Sequence, residues 1–286
     1  MSAHNFTVGT PMNRAQYPLT IDAIAKTCPS ALATTQHESR SDRYQYIPTL
    51  EVIRGMEKAG FVPFSATQSR TRIEGRRDFT KHMIRFRHAD MISALRVGDS
   101  LAEIVLVNSH DGSSAYKLMA GLFRLVCSNG LIIADGMVDS VTVRHQGNIV
   151  HEVIEGSTRI IQNAPKLTEA VNKWSNLQLT QGEQAAFAES ARTLRFADSE
   201  GETHTPITAE MLLRPRRNDD AKPDLWHTFN RVQENVIKGG LSAMGKDKQG
   251  HRRRTTTREV KGIDQDVKLN KALWQLAERM AELKSA

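Results

Sequence analysis

The residues of this sequence best suited to chemistry are arginines and lysines gathered into two short windows. Residues 68–88 hold seven basic side chains against Glu74 and Asp78, and residues 246–258 hold six against Asp247. The whole chain has 39 basic and 32 acidic residues, a net charge of +7, so outside these windows acidic residues are in slight excess. Positive charge concentrated in this way is suited to binding phosphate groups.

The first window alternates with a period of two, which predicts a β-hairpin. Two strands are expected at residues 65–73 and 81–88, joined by a polar connection at 74–78. The cations would then share one sheet face and meet successive phosphates without reading base sequence. An ordinary solvated sheet face is the competing interpretation. The candidate binding residues here are Arg70, Arg72, Arg76, Arg77, Lys81, Arg85 and Arg87.

The second window is predicted to be a polar loop that follows a helix. Its candidate binding residues are Arg252, Arg253, Arg254 and Arg258, interleaved with three threonines that offer hydroxyl groups to a phosphate backbone. Gly250 and its polar neighbours suggest a loop that becomes ordered on binding. A disordered basic linker explains the same composition.

The segment 108–112 places His110 beside Asp111, which suggests a proton-relay pair. Such a pair needs converging side chains, and sequence neighbours in a turn seldom converge. A turn at Asp111-Gly112, with a serine capping the next helix, explains the segment fully. There is no Walker-type phosphate loop, no His-Glu-x-x-His motif and no Cys-x-x-Cys pair. We therefore expect a non-enzymatic protein without cofactor or metal.

The elements that must position these residues predict an α+β fold. A small, mainly antiparallel sheet, carrying the basic hairpin, is expected to pack on a central helix at 114–128, and a helical C-terminal region follows. Helix 48–59 precedes the hairpin, and further strands are predicted at 101–107 and 137–144. Capped helices are predicted at 149–174 (broken near Pro165), 180–196 and after Asp224, with a last helix near the C-terminus. The division is a polar lead-in at 1–45, a core at 46–180 and a helical region with the basic loop at 181–286.

The expected cellular location of the protein is inferred from the sequence's lack of a membrane span and of a secretory signal. No run approaches the roughly 18 apolar residues of a membrane span. Residues 1–20 lack a charged start followed by an apolar block, so no secretory signal is predicted. Cys28 and Cys127 are read as reduced thiols. The expectation is a protein of the cytoplasm that does not contact the membrane.

Four runs carry a resemblance to a known family. These are RYQYIPTLEVIRGMEKAGFVPF (43–64), NSHDGSSAYKLMAGLFRLVCSNG (108–130), NRVQENVIKGGL (230–241) and LNKALWQLAERM (269–280). They resemble an uncharacterised family of proteins borne by phages and plasmids, and the likeness covers nearly the whole chain. It implies a bacterial host cell and specifies no activity.

The order of elements is also similar to the core of the Rad, Red-beta and RecT group of single-strand annealing proteins. That likeness implies rings or filaments that hold single-stranded DNA in a basic groove between hairpin and helix. Arg70, Arg72, Arg85 and Arg87 would border the groove. Lys117 or Arg124 would reach it from the central helix.

The expected function is binding of single-stranded DNA, with annealing of complementary strands, by a homo-oligomer. RNA stays open as the ligand. One rival is a counter-defence protein that binds a host protein, and salt discriminates the two because only phosphate binding weakens steeply with ionic strength. A second rival is a nucleic-acid enzyme with an unrecognised site, which turnover dependent on His110 or Asp111 would reveal.

A mutation set tests the hairpin hypothesis. If the hairpin binds phosphates, alanine at Arg70, Arg72, Arg85 and Arg87 should lower DNA affinity and flatten its salt dependence while the fold stays intact. Fluorescence anisotropy at several salt concentrations, with circular dichroism, measures both. Unchanged binding by a folded variant would contradict the hypothesis.

Overall fold

A computed structural model describes residues 17–38, 46, 48–92, 100–124, 129–136, 138, 140–143, 148–246 and 250–285. Its helices are α1 (Ile21–Thr27), α2 (Thr49–Lys58), α3 (Ala89–Ile92), α4 (Ile149–Gln162), α5 (Ala164–Asn176), α6 (Gln181–Phe196), α7 (Ala209–Leu212), α8 (Leu225–Lys238) and α9 (Ile263–Ser285). Its strands are β1 (Phe61–Gln68), β2 (His82–His88), β3 (Ser100–Asn108), β4 (Tyr116–Arg124), β5 (Asn129–Ile132), β6 (Val141–Val143), β7 (Ser242–Lys246) and β8 (Arg252–Thr256). The α+β class predicted from the sequence is confirmed.

The main sheet is an antiparallel meander. Strands β1 to β5 are neighbours in chain order, and β6 pairs with the other end of β4. Strand β3 lies in the middle and is buried along almost its whole length, as its continuous apolar run predicts. The register places Met83, Val107 and Lys117 in one row across β2, β3 and β4.

Helices α2 and α4 cover the first face of this sheet. Gly156 of α4 lies so close to the sheet that an added side chain would approach Leu118 to 2.9 Å. Helix α1 packs on β1 and on the short 3-10 helix Pro29–Leu32, and its Ile24 is fully buried in the core. Residues 21–32, which fall in the polar lead-in of the sequence analysis, therefore contribute to the core.

A buried polar cluster fastens α2 to the sheet. The Thr49 hydroxyl lies 3.0 Å from His82 Nε2, 3.2 Å from His110 Nε2 and 3.0 Å from the Tyr116 hydroxyl. Asn108 Nδ2 donates to the same hydroxyl at 3.2 Å. All five side chains are fully buried. Such a cluster specifies one position of α2 on the sheet, because any other position would leave these buried polar groups without hydrogen-bond partners.

The C-terminal helices continue the same core. Trp174, Trp226, Phe229 and Trp274 join α5, α8 and α9, with 4.5 Å between the ring centroids of Trp174 and Trp274. The beginning of α9 lies on the second face of the sheet, where Ile263 joins Met83, Val105 and other apolar side chains. The helical region and the sheet therefore share one continuous interior.

The predicted central helix at 114–128 is wrong, because Tyr116–Arg124 is strand β4. Tyr116, Leu118, Ala120 and Leu122 point to the first face, and the residues between them point to the second. A run that is apolar nearly all round fits a buried helix and a doubly covered strand equally well. The likeness to annealing proteins relied on that helix and loses its basis in element order.

Several other predicted elements match the structure. Strands β1 and β2 form the expected pair, but β1 spans Phe61–Gln68 and not 65–73, so the expectation that Arg70 and Arg72 lie on a strand face is wrong. The helical run from 149 divides at Asn163, and Pro165 lies in the first turn of α5. Thr180 and Glu183 form the predicted capping box, and Asp224 caps α8. The second basic window was predicted to be a loop, but its Lys246 and Arg252–Thr256 lie on the paired strands β7 and β8.

The buried cluster predicts a dependence of stability on acidity. Burial, and then the neighbouring His110, lower the pKa of His82 to about 3, whereas an unfolded histidine titrates near ~6.5. The unfolded state therefore takes up a proton first, and stability present above pH ~6.5 is lost as the pH falls towards 3. Urea denaturation should show a shallower loss for His82→Gln, by up to about 1.4 kcal/mol per pH unit.

The control is His151→Gln on α4, which is exposed. It should keep the wild-type dependence. Identical pH profiles for His82→Gln and the wild type would show that His82 is not held neutral by the fold.

Candidate nucleic-acid interface

The structure buries two arginines of the first basic window. Arg85 and Arg87 do share one face of β2, as predicted, but both pair with Glu103 of β3. Arg87 Nε lies 2.7 Å from Glu103 Oε1, and Arg85 Nη1 lies 3.1 Å from Oε2. Glu103 is fully buried and the arginines are 7% and 3% exposed. The expected solvent-facing row of cations is therefore wrong for these two residues.

Further groups hold these arginines in place. Arg87 lies between the rings of Phe64 and Phe123, 4.1 and 3.5 Å from their centroids. Burial lowers the pKa of Arg87, and Glu103 opposes that shift. Arg85 donates to the carbonyl oxygens of Gly130 and Leu131. Desolvation of this kind is tolerated only where charges are compensated, which makes both arginines structural.

The carboxylate of Asp266 on α9 extends the same charge cluster. Burial raises its pKa, and the nearby Arg85 guanidinium and Asn270 oppose that rise. Glu103 is the carboxylate that both arginines contact directly, and Asp266 lies near enough to Arg85 for their charges to interact.

Three more candidate cations are also engaged with carboxylates. Arg124 of β4 forms a buried ion pair with Asp220, so its expected reach from a central helix is wrong. Lys81 Nζ lies 2.7 Å from Asp264 at the beginning of α9. Arg76 Nε lies 3.4 Å from Asp111 Oδ2. Burial opposes ionisation of Asp111, but hydrogen bonds from Ser113 and Ser109, with Arg76, hold its pKa below the usual value.

The remaining candidate binding residues are exposed and form no ion pair among the described residues. Arg70, Arg72 and Arg77 lie on the connection between β1 and β2 and are exposed. Lys117 is exposed on β4, in the same cross-strand row as Met83. The other members of this group, all exposed, are Arg252, Arg253, Arg254 and Arg258.

The β7–β8 hairpin, hereafter the basic ribbon, carries the densest part of this group. Every residue of β8 is exposed, and the register pairs Met244 with Arg254 and Lys246 with Arg252. One face therefore presents Ser242, Met244, Lys246, Arg252, Arg254 and Thr256. On the other face Gly245 lies against Pro206, where an added side chain would approach the ring to 3.0 Å. That contact fixes which face of the basic ribbon points outward.

A cleft of about 690 Å³ lies between the first basic window and the segment that follows the second. Arg70, Thr71 and Arg77 line one side, and Met83 of β2 also contributes. The other side is the segment 259–263, which follows the basic ribbon and leads into α9. Lys261 in this segment was not among the predicted residues, and its partner Glu259 is 3.8 Å away. The cleft therefore places Lys261 opposite Arg70 and Arg77, and the acidic residues Glu259 and Asp266 also line it.

Tyr44, Tyr46 and Phe79 lie near the first basic window in the sequence, where an aromatic ring would be expected to stack on a base, but Tyr46 and Phe79 pack against other parts of the protein. The Tyr46 hydroxyl donates to the carbonyl oxygen of Ala33, and its ring packs on His110. The Phe79 ring makes an edge contact with His37 at 5.3 Å. Tyr44 lies outside the described residues. The exposed surface of the cleft and basic ribbon is consequently suited to phosphates more than to stacked bases.

The structure offers little for catalysis within the residues that it describes. No group of three or more His, Cys, Asp or Glu residues there could hold a metal ion. His110, the candidate proton carrier, is fully buried behind Thr49. Over the same residues no helix is long and apolar enough to cross a membrane.

Comparison with known proteins identifies the family. Residues 36–274 match DUF932, a domain of unknown function, and the chain belongs to this family. Two relatives from Escherichia coli (strain K12), the UPF0380 proteins YafZ and YfjQ, are 44% and 43% identical to it over 267 residues, which are 93% of this chain and 93% of each relative. No solved structure matches. The expected membership of an uncharacterised family is confirmed.

The free energy of unfolding distinguishes the buried arginines, which support the fold, from the exposed ones. Glu103→Gln leaves two buried guanidinium groups without their shared carboxylate, and should lower the free energy of unfolding by about 3–5 kcal/mol. Arg72→Ala, a change at an exposed arginine, should alter it by less than about 0.5 kcal/mol. Urea denaturation followed by circular dichroism measures both. Similar small changes in the two variants would show that the buried pairs do not support the fold.

Proposed function

We propose that this protein binds DNA through the phosphate backbone, with the basic ribbon as the main contact and the cleft beside it as the second. The observation that carries the proposal is the set of exposed cations on β8, which have no carboxylate partner among the described residues. Backbone phosphates supply the missing negative charge and release bound counterions.

The contrast between the two basic windows supports this proposal. In the first window, Lys81, Arg85 and Arg87 are matched with carboxylates from β3 and α9. In the basic ribbon, Lys246 and Arg252 face each other directly across the strands. Like charges in that position destabilise a hairpin. An anionic ligand bound between Lys246 and Arg252 would attract both side chains and so offset their mutual repulsion.

The cleft gives the ligand a second line of contacts. Arg70 and Arg77 stand on its one side, and the chain from Thr256 to Lys261 connects the ribbon to its other side. Five residues span at most about 18 Å, so the two cationic regions are within reach of one short stretch of nucleic acid. Lys117, in the row of Met83, lies about 10 Å from that residue across two strand spacings.

The proposal keeps single-stranded DNA and RNA as competing ligands. Strand annealing and homo-oligomer formation are further properties that it includes. The preference for single strands was inferred partly from Arg85, Arg87 and Arg124, which are buried in ion pairs. Single-strand binding also relies on aromatic stacking, for which Tyr46 and Phe79 are poorly placed. Single strands therefore enter the assays as the competing ligand.

Charge removal on the basic ribbon tests the proposed function. The variant with Arg252, Arg253 and Arg254 all changed to alanine should bind DNA at least about tenfold more weakly at low salt. The slope of log affinity against log salt should flatten by about 2–3, since each lost phosphate contact removes about 0.9 on duplex DNA. Fluorescence anisotropy of a labelled oligonucleotide gives both quantities.

A variant with the same loss of charge elsewhere is the matched control. Arg159, Lys166 and Lys173 are exposed on α4 and α5, away from the cleft lining, and alanine at all three should leave the salt slope nearly unchanged. Equal effects of the two triple variants would show that DNA affinity depends on the net charge of the protein and not on the position of the cations. Salt-independent binding to a host protein, without DNA binding, would favour the counter-defence alternative.

A further inference from the structure

We infer that the basic ribbon enters the major groove of duplex DNA and contacts base edges with its outward face. This inference rests on the proposed DNA binding and specifies the form of the ligand and the surface that it meets. It is carried by the shape of the ribbon, by the mixed chemistry of its outward face and by the anchoring of its base.

The shape of the ribbon fits one groove and not the other. It is an isolated two-stranded antiparallel sheet of five residues per strand. The major groove of B-DNA, about 12 Å wide, admits a two-stranded ribbon, whereas the minor groove, about 6 Å wide, does not. All of β8 is exposed, as are Met244 and Lys246 of β7, so the outward face is open to a ligand.

The outward face carries groups that read bases as well as groups that bind phosphates. Arg252 and Arg254 point the same way as Met244, which is 56% exposed and lies directly opposite Arg254. An arginine can donate two hydrogen bonds to guanine, and an apolar side chain can contact the thymine methyl group. Ser242 and Thr256 add hydroxyl groups at the base of the ribbon. A surface made only for phosphates has no use for an exposed methionine between cations.

The base of the ribbon is held firmly, so its outward face is presented in a fixed direction. Gly240 N–H donates to the Thr257 carbonyl, and Thr257 N–H donates to Leu241. Gly239, with φ +62°, lies so close to Arg258 that an added side chain would come within 2.7 Å of its backbone. Arg195 of α6 donates to the Arg258 carbonyl at 3.2 Å. Pre-orientation of this kind lowers the ordering cost of binding.

Arg253 and Thr255 alternate with the outward residues and are exposed, although their β7 partners Gly245 and Ala243 lie against the body of the protein. We assign Arg253 to phosphates at the edge of the groove, whereas Arg252 and Arg254 meet the bases.

Filling the major groove without changing the phosphates tests the inference. Two 20-base-pair duplexes of the same sequence are compared by fluorescence anisotropy, one with ordinary cytosines and one with glucosylated 5-hydroxymethylcytosines. Wild-type protein should bind the filled duplex about tenfold or more weakly, since it loses base-edge contacts and cannot insert the ribbon. The double variant Met244→Ala, Arg254→Ala should bind both duplexes almost equally.

The outcomes separate this inference from the proposed function. Equal wild-type affinity for the two duplexes would overturn groove insertion and leave backbone binding standing. Tighter binding of the matching single strand than of either duplex would overturn it as well. Absence of salt-dependent binding to any of these oligonucleotides would overturn both. Protection of guanine N7 from dimethyl sulfate by the wild type, lost in the double variant, would independently support insertion.

Discussion

The fold depends on one buried carboxylate, Glu103, held between Arg85 and Arg87 on the second face of the sheet. Since an unpaired charge in this position would cost several kcal/mol, the pairing fixes the register of β2 against β3. Arg85 continues to the carbonyl oxygens of Gly130 and Leu131 and so holds β5. The contacts of Arg85 and Arg87 thereby join β2, β3 and the edge strand β5, and Asp266 in the first turn of α9 interacts electrostatically with Arg85.

This constraint decides which cations remain for a ligand. The sequence shows where basic residues concentrate, and both windows were identified from composition alone. It does not show which of them are neutralised, because the partners Glu103, Asp220 and Asp264 lie far away along the chain. Period-two alternation correctly placed Arg85 and Arg87 on one face, but that face turned out to be covered. Whether a charged sheet face meets water is a property of tertiary packing, not of local pattern.

The elements that could be predicted are those whose ends carry local signals. The capping box at Thr180, the Asp224 cap and Pro165 in a first turn are short-range devices, and the helices that they begin were predicted well. Strand β4 was not, because an apolar run covered on both sides has no distinguishing period. The basic ribbon was missed for another reason: its alternation of Ser242, Met244 and Lys246 is short and rich in glycine and cations, which resembles a linker. Strand β7 is recognisable only from its pairing with β8, which the composition of the segment does not indicate.

Charge in this protein therefore falls into two populations with separate roles. The buried arginines are matched with carboxylates, so they contribute little to the field outside the molecule, and the net charge of +7 is expressed mainly by exposed groups. The densest group of exposed cations lies on the basic ribbon, and under the proposed function it would raise the rate at which a nucleic acid is captured. The ribbon contacts the body through its base and through Ala243 and Gly245 of β7, whereas every residue of β8 is exposed. Binding strength can consequently change by substitution on β8 with little effect on stability, whereas the same substitution at Arg85 or Arg87 would act on the fold first.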